Sequence, residues 1–168
     1  MTTIRPELLR DWPAVHAVHA AAFPTDAEAR LVDCLRANGR AEISLVAELN
    51  GKIVGHILFS PVTIGGQAVA GALGLAPVAV IPSCQRQGIG GELIRAGLAA
   101  CRDVGCGLVV LLGHPEYYPR FGFQRASQFG LTNEYGADEA FMVLELRHGA
   151  IPAGGGLVQY AAEFAEFA

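Results

Sequence analysis

Charge is scarce in this 168-residue chain and leans acidic: 17% of residues are charged and the net charge is −4. Such a surface does not coat nucleic acid or hold an anionic membrane through a broad basic face, so neither partner is expected. Long apolar runs are missing too. The longest stretch without a polar side chain, Ala68 to Pro82, is shorter than the roughly 20 residues needed to span a bilayer, and glycine and proline interrupt it. The Met1-Thr-Thr-Ile-Arg-Pro6 start lacks the apolar centre of a secretion signal. Cys34, Cys84, Cys101 and Cys106 form no C-x-x-C pair and no disulfide framework, so reduced thiols in a cytoplasmic protein are expected. No metal is expected, and no internal repeat or low-complexity segment is evident.

What remains is a globular composition, 52% apolar with 21 glycines, in a length suited to one domain. Ile4-Arg5-Pro6 reads as a short strand. Asp11 can cap a helix opening at Trp12-Pro13 with Val15, Val18 and Ala22 on one face. Thr25-Asp-Ala-Glu28 has the capping-box pattern, ahead of a stripe made by Leu31, Cys34 and Leu35. Ile43 to Leu49 and Lys52 to Ser60 flank Asn50-Gly51, a strong hairpin signal, and Gly65-Gly66 turns the chain into a strand from Val69 to Ile81.

That strand ends in the stretch around which the chain is organised, Pro77-Val-Ala-Val-Ile-Pro-Ser-Cys-Gln-Arg-Gln-Gly-Ile-Gly-Gly91. Beyond it Ile89, Leu93, Ile94, Leu98 and Cys101 recur at helical spacing. The pattern is strand, glycine-rich turn, helix. Free N–H groups and the positive dipole end of such a helix attract an anion, above all phosphate, and glycines let the backbone approach it. A Walker loop would end in Gly-Lys-Ser/Thr, which is absent. The order Gly88-x-Gly90-Gly91 in mid-chain is not the dinucleotide fingerprint either. Further on, Leu108 to Leu112 is an apolar strand that a helix connects, so it lies parallel to the one before. Pro77 cannot donate a ladder hydrogen bond and predicts a bulge where the two part. Pro115 to Arg120 reads as a short helix, Phe141 to Leu146 as a last strand, and Ile151 to Gly156 as a linker.

Gln85-Arg86-Gln87-Gly88-Ile89-Gly90 fits Q/R-x-x-G-x-G/A and resembles the pyrophosphate loop of the GCN5-related N-acetyltransferases (GNAT family). Ala76-Pro-Val-Ala-Val-Ile-Pro82 looks like that family's fourth strand, and Tyr118-Pro-Arg-Phe-Gly-Phe123 like its Tyr-x-x-x-Gly-Phe segment. The combination is most similar to the YhbS-like subgroup. The resemblance covers residues 4 to 146 and is dense from 73 to 123.

It implies an α/β (α+β) fold: a mixed, mostly antiparallel central sheet of about seven strands flanked by helices, with a splayed parallel pair holding acetyl-CoA. The domain would run over 1–150, and the 151–168 linker and tail would pack on it or on the partner subunit of a homodimer. Backbone of Gln87, Gly88, Ile89, Gly90 and Gly91 would bind the pyrophosphate, with side-chain help from Gln85 and Arg86. Val78, Ala79 and Val80 would pair with pantetheine, and Phe121 would line the cofactor. Tyr118 would protonate the departing thiolate. The acceptor would be a primary amine of a small molecule, a peptide or a protein.

The family's glutamate on the fourth strand is missing, since Ala68 to Ile81 holds no ionisable residue. His56 has the pKa range of a base, and Glu28 could face the acceptor. A non-catalytic acyl-CoA-binding sensor is the alternative to an acetyltransferase.

Overall fold

The structure, a computed structural model, describes residues 1–167; at 68–70 only the backbone is described. The strands are β1 (Thr2–Pro6), β2 (Ile43–Leu49), β3 (Lys52–Ile64), β4 (Gln67–Val80), β5 (Leu108–Leu112), β6 (Gln124–Arg125), β7 (Leu131–Asn133), β8 (Phe141–Glu145) and β9 (Gly156–Gln159). The helices are α1 (Trp12–Ala22), α2 (Ala27–Ala37) and α3 (Ile89–Asp103). One sheet runs β1-β2-β3-β4-β5-β8-β6, with β9 pairing β3 and β7. β4 is parallel to β5 over Ala72–Gly74, and β7 is parallel to β9; β1–β2, β2–β3, β5–β8 and β6–β8 are antiparallel. This is the expected mixed sheet with helices. The extra strands, β6, β7 and β9, are two to four residues long, too short to show alternation in sequence.

The chain divides into two compact units. The first combines Met1–Ser60, Ala76–Ala100 and the tail from Ala162. Val15 and Val18 of α1, Val32 and Leu35 of α2, and Leu93 and Ile94 of α3 are buried with Val46 and Leu58 of the strands. Gly55 and Gly97 allow α3 to lie close on β3. A Cβ at Gly97 would stand 2.5 Å from the Phe59 ring, and one at Gly55 would stand 3.0 Å from Leu93 Cδ1. Asn50 and Gly51 both have positive φ (52° and 77°), the twist-matched hairpin turn their sequence predicts.

Two capping expectations are corrected. Asp11 precedes α1 but does not cap it; its carboxylate accepts the Leu8 N–H (2.8 Å) and the Arg5 guanidinium (2.7 Å). The Thr25–Glu28 box does not close, because α2 starts after Asp26 and Thr25 Oγ1 instead accepts the Ala27 N–H at 3.3 Å. The tail folds back in this unit: Glu163 accepts from Asn38 Nδ2 (2.7 Å) and Arg40 Nε (3.0 Å), and the Arg30 guanidinium lies over the Phe167 ring.

The second unit holds Pro61–Leu75 and Cys101–Ala161. Leu108 to Leu111 are buried with Phe123, Leu131, Phe141, Val143 and Val158, as an apolar central strand requires. The glycines 154–156, read as a linker, carry the chain directly into β9. Gly155 (φ 67°) lies so close to the Gly130 backbone that a side chain there would overlap it. A tight junction and a loose linker have the same glycine signature in sequence.

Candidate active site

In the first unit, β4 ends in a turn shaped by its own polar groups. Ala76-Pro77 is a cis peptide. Ala79 is buried, while Val78 and Val80 are half-buried. Ile81 N–H bonds Val54 O (2.9 Å), Cys84 N–H bonds Ile81 O (2.9 Å), and the Gln85 amide reaches back to Val80 O (2.9 Å). Gln87 does the same to Ser83 O at 3.3 Å. Arg86 takes a positive φ of 62° and Gly88 one of 86°, and residues 85–88 are all exposed.

The first intrahelical bond of α3 runs from Glu92 N–H to Gly88 O (3.0 Å). The N–H groups of Ile89, Gly90 and Gly91 therefore precede the first helical donor, Glu92 N–H, and lie at the positive end of the helix dipole. Ile89 anchors this end in the core at 3% exposure.

Gly90 is the informative residue here. Its φ is not in the left-handed region, and a Cβ built on it meets nothing within 4 Å. A glycine in the first turn of a helix costs about 0.5–1 kcal/mol relative to alanine, and nothing in the fold demands it. Gly90→Val is accordingly expected to leave thermal stability unchanged or slightly raised, as a melting curve would show.

In the second unit, the chain leaves β5 at Gly113. Tyr117 and Tyr118 N–H groups bond His114 O (3.0 and 3.3 Å), and a 3-10 turn follows over Tyr118–Phe121, closed by Gly122 at φ 99°. This turn replaces the short helix expected over Pro115 to Arg120. A Cβ on Gly113 would overlap the edge of the Tyr118 ring, so glycine there makes room for the phenol. The ring packs edge-on against Tyr117 (5.1 Å between centroids) and Phe123 (6.0 Å), and Phe121 lies 6.2 Å away. Burial, with a smaller contribution from Tyr117, pushes the Tyr118 hydroxyl up to about 12. It stays protonated across the physiological range, and it has no hydrogen-bond partner among the described residues. Arg120 bonds Tyr117 O (2.8 Å) and lies over the Tyr117 ring (4.2 Å).

His56 is fully buried, and both ring nitrogens are hydrogen-bonded, Nδ1 to His19 Nε2 and Nε2 to Ser44 Oγ, each at 2.8 Å. Glu7, in a buried ion pair with Arg36, stands 3.7 Å from His56 Nε2. Burial holds the His56 pKa well below its usual value and lowers that of His19 to about 4, so both rings are neutral. This cluster was missed in the sequence, where only His56 drew notice. His19 follows Val15 by four residues on the buried face of α1, which was its available signal. Glu28 is half-buried, and its buried Oε1 has no hydrogen-bond partner among the described residues.

A strand, a glycine-rich turn and a helix in the first unit, and a strand followed by a buried tyrosine in the second, are the local features to set beside known proteins. Residues 2–123 match the model of the acetyltransferase (GNAT) family. The chain is 37% identical over 166 residues to the uncharacterized N-acetyltransferase YhbS of Escherichia coli K12, covering 98% of this chain and 99% of YhbS. The crystal structure of E. coli YhbS in complex with CoA superposes with a TM-score of 0.94 at 36% identity, over 99% of this chain and 93% of that one. A GNAT acetyltransferase from Brucella melitensis, crystallised with acetyl-CoA, superposes at 0.83 with 40% identity over 98% of both chains. The chain belongs to the GNAT family and to its YhbS-like branch. No group of metal-ligating side chains occurs among the described residues, and none of their helices is long and apolar enough to cross a membrane.

Proposed function

We propose that the protein transfers the acetyl group of acetyl-CoA to a primary amine by direct attack in a ternary complex. The observation that carries this is the open space over Gly90 beside free helix N–H groups, in a chain whose relatives were crystallised with CoA and acetyl-CoA. In this reading Gln87, Gly88, Ile89, Gly90 and Gly91 hold the pyrophosphate through backbone N–H groups, with Gln85 and Arg86 beside them. The backbone of Val78, Ala79 and Val80 pairs with the pantetheine amides, and one of these N–H groups polarises the thioester carbonyl. Phe121 packs against the cofactor.

An alkylammonium with a pKa of about 10.4 is only about 10⁻³ neutral near pH 7 and must lose a proton before attack. His56 is enclosed and bonded at both nitrogens, so it offers no lone pair to an incoming amine. The unpartnered buried oxygen of Glu28 is the better candidate to receive the ammonium. As the tetrahedral intermediate collapses, the C–S bond breaks and the sulfur takes up negative charge. Tyr118 stabilises it by donating its proton. A phenol near 12 lies above a thiol near 8.5, so the transfer completes only as the proton released by the amine replaces the one given up.

Acceptors in this reading are amines of small molecules or of peptides and proteins. The free thiols suit a reducing compartment, and we place the reaction in the cytoplasm. The test is thiol release from acetyl-CoA across a panel of amines and short peptides. Release that depends on the amine and saturates with it supports the transferase. CoA binding without turnover on any acceptor would favour a sensor.

A further inference from the structure

The C-terminus of α3 brings two of the four cysteines together. Gly105 N–H bonds Arg102 O (3.1 Å) and Cys106 N–H bonds Cys101 O (2.9 Å), with Gly105 at φ 80°. This is a helix-ending motif in which the third residue from the end meets the second residue beyond it. In most proteins that contact is a pair of aliphatic side chains; here it is two thiols. The backbone bond holds the two Cα atoms within about 7 Å, and a disulfide spans roughly 4.4–6.8 Å. Cys101 and Cys106 are both free thiols, buried under the exposed turn 102–105. The Cys106 thiol also lies 3.0 Å from Gly71 O and 3.2 Å from Leu108 O.

We propose that Cys101 and Cys106 form a redox site that a peroxide converts to an intramolecular disulfide closing the α3–β5 turn. The two neighbouring thiols share one proton unequally, the Cys106 pKa being lowered by Cys101 and that of Cys101 raised, so Cys106 attacks first. Its sulfur displaces water from hydrogen peroxide and becomes a sulfenic acid. The Cys101 sulfur then displaces the hydroxyl as a second water, forming the S–S bond. Two thiols lose two hydrogens and one peroxide becomes two waters. A dithiol reductant reverses the step. The pair lies in the second unit, next to the Gly71–Gly107 close approach where β4 meets β5: a Cβ on Gly71 would stand 2.9 Å from Gly107 N. Oxidation exchanges the Cys106 thiol's contacts to Gly71 O and Leu108 O for a covalent tie at the start of β5.

Trypsin cuts after Arg102, between the two cysteines. The reduced full-length protein is treated with hydrogen peroxide, its remaining thiols are alkylated in denaturant, and the digest is weighed. The expected product is fragment 96–102 linked to fragment 103–120, lighter by two hydrogens than their sum and separated again by dithiothreitol. The same treatment of guanidine-unfolded protein should scatter links onto Cys34 and Cys84. The proposal is overturned if Cys101 and Cys106 are recovered alkylated or over-oxidised while Cys34 and Cys84 have reacted, or if the link forms equally in the unfolded chain.

Discussion

Replacing Tyr118 with phenylalanine is expected to lower kcat about 100-fold, the scale of a lost general acid, while KM for acetyl-CoA moves less than about twofold. The same change should leave the melting temperature where it was. Tyr118 contributes to the fold through its ring, set into the space left by Gly113 and packed on Tyr117 and Phe123. Phenylalanine keeps those contacts, and the hydroxyl it removes has no hydrogen-bond partner among the described residues. A loss of kcat with intact stability and intact cofactor affinity would isolate the proton. Because the phenol is held up near 12, the wild-type rate should show no falling limb from this group below about pH 10. A variant as fast as wild type would remove Tyr118 from the chemistry and leave it as an aromatic wall.

The second large effect is acid sensitivity. His19 and His56 sit in the core as neutral rings, His19 near 4 and His56 well below its usual value, burial being the first cause for both. Unfolding returns each to about 6.5. Between pH 6.5 and 4 the unfolded chain thus binds protons that the folded chain refuses, and stability falls as pH falls. His19 alone makes this a loss of about 3 kcal/mol by pH 4, large against a typical 5–15 kcal/mol. Carboxylates act later: Asp11, lowered to about 2 by Arg5, gives up its contribution only below its ordinary 3.8. Urea unfolding at pH 7 and pH 4.5 therefore reads the histidines, and a His19→Leu/His56→Leu variant should show a flatter dependence. Equal stability of the wild type at both pH values would mean that the rings are solvated or already charged.

The tautomers follow from the same geometry. Nε2–H of His19 donating to Nδ1 of His56 leaves a lone pair, not a proton, at the unpartnered His19 Nδ1, and turns His56 Nε2–H toward Ser44 and Glu7. A bare lone pair costs less to bury than a stranded N–H.

The sequence was most legible where local chemistry had one outcome. Asn50-Gly51 made the hairpin, the period of Ile89, Leu93 and Ile94 made α3, and the run Leu108 to Leu112 made a buried strand. The glycine loop and the Tyr-x-x-x-Gly-Phe segment led to the family because each keeps its fixed spacing within one short stretch of chain. Long-range partners were hidden. Asp11 looked like a cap until Arg5 claimed it, and Thr25 and Glu28 matched a box that Asp26 pre-empted. The glycines at 154–156 looked loose because nothing nearby in sequence shows that Gly130 lies against them. His19 and Ser44 flank His56 only once α1, β2 and β3 are stacked, and no pattern on a single element records that.

The most direct test of the account is a calorimetric titration of CoA into the wild type and Gly90→Val. The prediction is saturable binding at one site in the wild type, at least tenfold weaker binding in the variant (about 1.4 kcal/mol), and equal melting temperatures for the two. Equal affinities would mean that the open space over Gly90 is not where the cofactor lies. No CoA binding by a folded wild type would contradict the reading of the glycine loop itself.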